Sequence, residues 1–580
     1  MRHTALADAH VFAAALSLTI LQAAAPAPPF AAREPLAPRD SARVLHAAES
    51  AQRGFERFRR DRLPVGDSFT GPCDVRVGRY CYWRGDDDDD EGTPPAEAPD
   101  VTRRRDALIS VLSSASTALP GDAWLAGQRA YYLVDAGRAD EAIRFATTEC
   151  AAARDWCLAL AGFAAHSAGR FALADSLYEQ SLAAMTPPER CRWLDVRDLL
   201  DNALARRFES LDCAARDTLA RRVLRLGAPL LSVSATDLLT EHLARLTRIH
   251  VAEHAELTDR AAWGDDVREL MLRYGWPRWY SRTTPAFGSQ LEPSITGHDA
   301  GRPYYFLPRA RLLDSLGSAT DDDWSLDDRR APAAYAPRYL RILHLVPHQF
   351  ARFRRGDSVL VVGAWDARRD TTLIGRPLAA ALVLANVDSV VAVARRSDAR
   401  ATGRLTVIAP LDSGLVSLEL LAEKDRRAAR ARAGILPRAD GLVSISDLLL
   451  YAPDSAEVRA LADVADSALT SDEIARARPV GVYWELYGMA DRSAPVRYTL
   501  NVEQIGVSWM RRTAERLHLA DATSGLRIQW EEMPRASDGV AARGVHLDLS
   551  RLRPGTYRVR LRAESGTDAP VVATRDIRIH

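Results

Sequence analysis

The chain has 580 residues, 47% of them hydrophobic, with 77 basic and 77 acidic side chains and a formal net charge of zero. That hydrophobic share excludes wholesale disorder, and the length calls for roughly three or four domains. The charge balance argues against bulk binding to nucleic acid or an anionic membrane surface, and the lone lysine, Lys424, reads as codon bias.

The amino terminus runs Arg2, His3, an apolar stretch from Val11 to Leu21, then Ala23 to Ala25 and Pro26. A charged start, a short apolar core and small residues have the layout of a secretory leader, assigned to 1–32. No later segment offers an apolar run of spanning length, so no integral membrane segment is expected beyond the leader. The expected location is periplasmic, outer-surface or secreted. Residues 33–100 read as a low-complexity segment, rich in proline and carrying the acidic run Asp86 to Glu91. That run lacks the spaced ligands and closing glutamate of a calcium loop.

All six cysteines fall between Cys73 and Cys213. An even count behind a leader favours disulfides. The expected bridges are Cys73–Cys81 across a short loop, Cys150–Cys157 at a helix junction, and Cys191–Cys213 around the following helix. This is one of many connectivities that six cysteines allow.

Helical patterning occupies 101–256. Gly137-Arg138-Ala139-Asp140-Glu141-Ala142 is echoed 32 residues later by Gly169-Arg170-Phe171-Ala172-Leu173-Ala174, followed by Tyr178, Ser181 and Pro187. Small residues at a close helix crossing, with an aromatic shortly after, resemble tetratricopeptide repeats over roughly 121–188. Such helix pairs stack into concave binding surfaces. That resemblance makes Tyr131, Arg138 and Arg170 candidate binding residues.

The sharpest chemical motif is His250-Val251-Ala252-Glu253-His254, with His242 two turns earlier. On a continuous helix the spacing His-x-x-Glu-His puts both imidazoles on one face, as inverted zinc peptidases require. His250 and His254 are therefore the candidate metal ligands, and zinc the only cofactor considered. The other reading is a polar helix face. The sequence contains no nucleophile-elbow serine motif, no glycine-rich phosphate loop and no Cys-x-x-Cys pair.

Residues 257–335 change texture. Arg268 to Pro277 reads as a short strand running into a turn. With the helical lead Arg216-Asp217 and Thr240-Glu241, the turn Tyr274-Gly275-Trp276-Pro277 resembles the GWxTD domain of bacterial extracytoplasmic proteins. The naming motif appears in inverted order as Trp263-Gly264-Asp265-Asp266, without its threonine. The resemblance implies an exported location and a layout, not an activity. Trp276, Trp279, Tyr280, Tyr304, Tyr305 and Phe306 crowd this stretch. They read as filling between the helical and β halves, with Trp276 and Trp279 as candidate contacts for a peptide or sugar.

From 336 to 440 the period becomes two, in Val359 and Val361, Leu382 and Leu384, Leu405 and Val407, then Val416, Leu418 and Leu420. This predicts an antiparallel β-sandwich. Residues 441–479 read as a linker that carries one strand near Leu448. The last module, 480–580, resembles an immunoglobulin-like sandwich, with the aromatic strand Gly481 to Gly488 and the turn Leu552-Arg553-Pro554-Gly555-Thr556-Tyr557. Tyr483, Trp484 and Tyr487 read as sandwich core rather than a carbohydrate platform, and if that strand lies at an edge, one of them is expected on the surface.

The sequence thus predicts a multidomain chain, with an all-α tetratricopeptide-like front half followed by antiparallel β-sandwiches. No catalytic residue is assigned. The expected work is non-enzymatic, as contact with another envelope or secreted protein or peptide, without nucleic acid. A zinc hydrolase and a carbohydrate-binding surface are the rival readings.

Overall fold

The computed structural model describes residues 37–65, 75–77, 80–82, 95–260, 263–283, 294–298, 303–328, 330–436, 443–454, 457–489, 495–506, 525–537, 539–566 and 569–580. The leader, the acidic run and Cys73 lie outside these residues, and with them the Cys73–Cys81 bridge. Helices come first and sheets follow, as the hydrophobic periods predict. Among the described residues no helix is long and apolar enough to cross a membrane.

The first helix, α1 (Pro38–Arg60), falls where a low-complexity segment was expected. Its stripe of Ala48, Gln52, Phe55 and Glu56 is buried against α2 (Pro99–Ala118) and α3 (Ala123–Asp135), where Phe55 meets Tyr132 edge to face at 5.5 Å. Four helices form hairpins: α3 with α4 (Ala139–Thr148), and α5 (Arg154–Ser167) with α6 (Phe171–Ala184). Each hairpin turns at a glycine with φ +74°, Gly137 and Gly169, a backbone region that glycine enters without steric cost. The two turns stand 32 residues apart, so the sequence echo is a structural one. In the second hairpin a Cβ at Gly162 would stand 2.9 Å from the ring of Tyr178, so glycine permits the close crossing.

Cys150–Cys157 joins the end of α4 to α5, with Cα atoms 5.9 Å apart. Cys191–Cys213 ties α7 (Pro187–Trp193) to α9 (Cys213–Leu226) across α8 (Asn202–Glu209), with Cα atoms 5.7 Å apart. Helix α10 (Asp237–Ala252) then packs across α3, α5 and α6. Tyr178 Oη lies 3.1 Å from Thr247 Oγ1, and Gln128 donates to the Val251 carbonyl at 2.6 Å. That face of the hairpins is therefore occupied by the chain itself.

The expected strand near Arg268 is instead a helix, α11 (Asp265–Tyr274). Asp265 and Asp266 lie in its first turn and oppose the helix dipole, Met271 and Leu272 are its buried face, and Gly275 (φ +81°) ends it. A small mixed sheet follows, in the order β1 (Val75–Val77), β2 (Tyr80–Tyr82), β4 (Ile295–His298), β3 (Trp279–Arg282).

The first sandwich has a three-stranded layer, β10 (Thr402–Ala409), β7 (Ser358–Asp366), β6 (His348–Arg355). Its five-stranded layer runs β5 (Ile342–Leu345), β12 (Arg427–Ile435), β11 (Gly414–Ala422), β8 (Leu378–Ala385), β9 (Val390–Ala399). Val361, Trp365 and Val407 of one layer meet Leu382, Leu384, Val416 and Leu418 of the other. The five-stranded layer is covered on both faces. Ala381, Val383 and Leu415 on its far side pack against Leu226, Leu231 and Trp324, so β8 is apolar almost throughout.

The described residues of 441–479 are part of the second sandwich rather than a linker. Strands β13 (Ser444–Ile445) and β14 (Leu449–Tyr451) pair with β16 (Val480–Tyr487), with the short helix α12 (Leu461–Ala465) after them, and β15 (Glu473–Ile474) pairs with β22 (Val571–Ile579). The layers are completed by β20 (Val540–Leu547) and β19 (Ala536–Ser537), and by β21 (Gly555–Ser565), β17 (Val496–Gln504) and β18 (Gly525–Glu532). Tyr557 donates its hydroxyl back to the Arg553 carbonyl at 2.9 Å and so closes the Pro-Gly turn. The aromatics of β16 are core, and none is on the surface, because β16 is a central strand and not an edge. Trp484 points into the sandwich core, while Tyr483 and Tyr487 face the first sandwich and both donate to Glu485 at 2.8 Å.

Candidate functional site

The helical spacing needed for a zinc motif does not form. Helix α10 ends at Ala252, Glu253 leaves the helix with ψ 127°, and His254 is exposed in the left-handed region at φ 63°. His250 donates to the Leu246 carbonyl at 2.8 Å and stacks on Trp193 at 5.3 Å. His242 is buried, with Nε2 on the Trp193 carbonyl at 3.1 Å, and burial lowers its pKa to about 4. No group of three potential ligand side chains is assembled among the described residues.

The predicted binding residues divide into two sets. Arg138 is held by Glu141 at 2.6 Å and Arg170 by Asp140 at 2.7 Å, both on the outer hairpin turns. Trp279 stacks on His298 at 3.9 Å. Tyr131 and Trp276 do come together, 145 residues apart in sequence, on the wall of a cleft of about 410 Å³.

Several separate parts of the chain build that cleft. Helix α1 contributes Arg59 and α3 contributes Tyr131 and Asp135. Phe163, His166 and Phe171 come from the second hairpin, and α10 brings Glu241, Arg245 and Arg248. The end of α11 and the turn after it supply Tyr274 to Arg278, β3 supplies Tyr280, and the segment before β5 supplies Tyr335, Ala336 and Arg338. The turn is pinned from beneath. Arg245 donates to the carbonyls of Leu272 (2.8 Å), Arg273 (3.1 Å) and Ala334 (3.1 Å), and a Cβ at Gly275 would stand 3.0 Å from its guanidinium.

Both carboxylates of the cleft are consumed internally. Asp135 takes Arg59 at 3.2 Å and Arg105 at 2.7 Å. Burial would raise its pKa, but these guanidiniums outweigh burial and hold it below the usual carboxylate range. Glu241 is likewise lowered against its burial, by Arg245 at 2.6 Å and His166 at 2.7 Å. Among the described residues Arg248 makes no ion pair with a carboxylate, although its charge helps to hold Asp135 low. Its guanidinium lies 4.3 Å from the ring centre of Trp276 and 5.1 Å from that of Tyr131, and donates to the Tyr131 hydroxyl at 3.3 Å. Trp263 stacks on Trp276 at 6.1 Å.

One pair with nucleophile–base character escaped the sequence reading, Ser281 Oγ at 2.7 Å from His298 Nε2. Ser281 lies within strand β3, not at an exposed turn, and is only 4% exposed, which closes it to a substrate. Tyr304, Tyr305 and Phe306 are core at the junction of helical and β parts, with the Leu343 amide donating to Tyr304 Oη at 2.9 Å.

No family model matches the chain, and no curated protein matches it. Among solved structures, the FN1–FN3 domains of chicken CNTN1 align at 10% identity over 41% of this chain and 67% of that one, with a TM-score of 0.15. Red sea bream transglutaminase aligns at 14% identity over 41% of this chain and 32% of that one, with a TM-score of 0.13. Salmonella alpha-2-macroglobulin aligns at 11% identity over 43% of this chain and 16% of that one, with a TM-score of 0.15. Similarity this low carries no argument about function.

Proposed function

We propose that the protein is a non-enzymatic binding protein of the extracytoplasmic space, which holds a segment of another envelope or secreted protein in the cleft between α3, α10 and the turn after α11. The observation that carries this reading is the cleft itself. It combines Tyr131, Tyr274, Trp276 and Tyr335 with arginine side chains, while its two acids are tied up in internal ion pairs. Aromatic residues and arginine are the types that dominate protein recognition sites. The two disulfides, the leader-like amino terminus and the GWxTD and tetratricopeptide resemblances support the location and the kind of work. A carbohydrate site has less support, because Trp276 already carries Trp263 and Arg248 on its ring. A zinc hydrolase has less still, because the helix ends between its two histidines.

Position-specific photocross-linking tests the reading. A photoreactive side chain at Tyr274, in the full chain expressed with its export leader, is expected to give a discrete adduct with one envelope or secreted protein. The adduct should weaken when Trp276→Ala is added, and should not form when the probe stands at Arg558 on the outer face of β21. Equal adducts from both positions, or none from the cleft, would defeat it.

A further inference from the structure

We infer that the segment held in the cleft is acidic, with its carboxylates seated on Arg248 and Arg338. This rests on the binding reading above and adds the chemistry of the occupant.

The chain as a whole is neutral, but the cleft is not. Five arginines line it against two carboxylates. Arg59 and Arg245 are committed to those carboxylates. Arg278 is turned to the Ala336 carbonyl at 2.7 Å. Arg248 rests on aromatic rings, with the Tyr131 hydroxyl as its polar contact. Arg338 is exposed on the cleft wall and makes no hydrogen bond or ion pair among the described residues. Crowding by surrounding protein, with the charges of Arg278 and Arg248, shifts Arg338 below the usual arginine value. Five like charges have thus been gathered in a concavity that holds only two carboxylates, Asp135 and Glu241, and Glu241 offsets only part of the shift on Arg338.

Folding alone does not account for that arrangement, since it places an excess of cations side by side. A concave, aromatic-walled site of one sign concentrates its field on an incoming counter-charge. Guanidinium is the group best suited to the task, because its planar fork donates to a carboxylate along one edge while its face stays on an aromatic ring. Arg248 already has its face so engaged. A cleft of about 410 Å³ exceeds what a lone ion fills, and Phe163, Phe171 and Tyr274 offer apolar wall to side chains beside the charge. Arg248 and Arg338 stand on separate elements, α10 and the segment before β5. This suits separate single charges along a peptide better than one compact phosphate.

The test uses the full chain and three probes: a short peptide of Glu and Asp around one Phe, the same peptide with Gln and Asn in their place, and inorganic phosphate. Titration calorimetry is expected to show binding of the acidic peptide alone. Its affinity should fall about tenfold in Arg338→Gln and in Arg248→Gln, and also as salt is raised. Arg338 is exposed, so its variant keeps the fold, which a melting curve checks. Equal binding of both peptides would overturn this inference while leaving the binding reading intact. Binding of phosphate alone, acidic-peptide binding indifferent to both variants, or no binding of either peptide would overturn it as well. The cross-linking experiment decides the broader reading independently.

Discussion

Arg432 on β12 donates from its guanidinium to the carbonyl of Leu226, the last residue of α9, at 3.0 Å and across 206 residues of sequence. The same guanidinium donates to the Ala228 carbonyl at 2.7 Å and lies 4.9 Å from the Trp324 ring centre. Glu419, on the neighbouring strand, accepts the amides of Leu231 and Ser232 at 2.8 Å each. The segment after α9 therefore docks on the β-sheet by its backbone, with buried side chains serving as its hydrogen-bond partners. Arg432→Leu removes one of two donors from each carbonyl, leaving Trp324 on Leu226 (3.0 Å) and Arg430 on Ala228 (3.3 Å), and removes the positive charge beside buried Glu419, so it is expected to cost about 2–3 kcal/mol. Urea denaturation followed by circular dichroism reads the loss. A change under about 1 kcal/mol would show that the docking does not depend on this residue.

The bridges staple the helical half. Cys191–Cys213 closes a separation of 22 residues and Cys150–Cys157 one of 7. Constraint of the unfolded chain grows with loop length, so replacing the first pair by serine is expected to cost about 3 kcal/mol and the second about 2 kcal/mol. Thermal melts with and without reductant should rank the pairs in that order. Insensitivity to reductant would mean that the unfolded helical half is already constrained by other means.

The crossing of α5 and α6 gives a local test. Gly162 faces Tyr178, whose hydroxyl is held at Thr247, so the ring has little room to withdraw. Gly162→Ala is expected to destabilise by about 1–3 kcal/mol. Gly169→Ala, with open space around it but φ +74°, should cost about 1 kcal/mol from backbone conformation alone. Comparable melting of the two variants with the unaltered protein would count against the packing account.

What could be read from the residues alone was what local period and turn chemistry encode. The alternation through Leu382, Leu384, Val416 and Leu418 marked strands, and the paired glycines at 137 and 169 marked two equivalent turns. Helix α1 was missed because its buried stripe is short and partly polar, with Gln52 and Glu56 bonding Tyr132 rather than packing as hydrocarbon. Helix α11 was missed because Leu270, Met271 and Leu272 form an apolar run that fits either period, although two aspartates and a terminal glycine announce a helix. In the cleft, Tyr131 and Trp276 stood out as aromatics. Arg248 and Arg338 did not, since no local pattern says which of the many arginines will be left without an acid. Only the tertiary arrangement decides that.

Asp237 gives the pH dependence a sign. It is fully buried at the start of α10, where it accepts from Tyr339 Oη at 2.7 Å and from the Leu238 amide at 3.0 Å, with Glu241 one turn on. Burial, which outweighs these bonds, raises its pKa to about 7. Both folded and unfolded chains hold this proton below about pH 4. As pH climbs towards 7 the unfolded chain releases it and the folded chain does not. Stability therefore falls through that window, by on the order of 4 kcal/mol. His242 acts in the opposite sense, because its folded pKa of about 4 lies below its unfolded value and its contribution is lost as pH falls towards 4. The two slopes oppose each other between about pH 4 and 6.5. Asp237→Asn keeps an acceptor for Tyr339 and removes one slope, so the variant is expected to gain stability relative to the unaltered protein above pH 7. It should also show stability rising with pH below 6.5. Denaturation midpoints measured across that range decide it. Parallel curves for the two proteins would mean that Asp237 is ionised in the folded chain throughout.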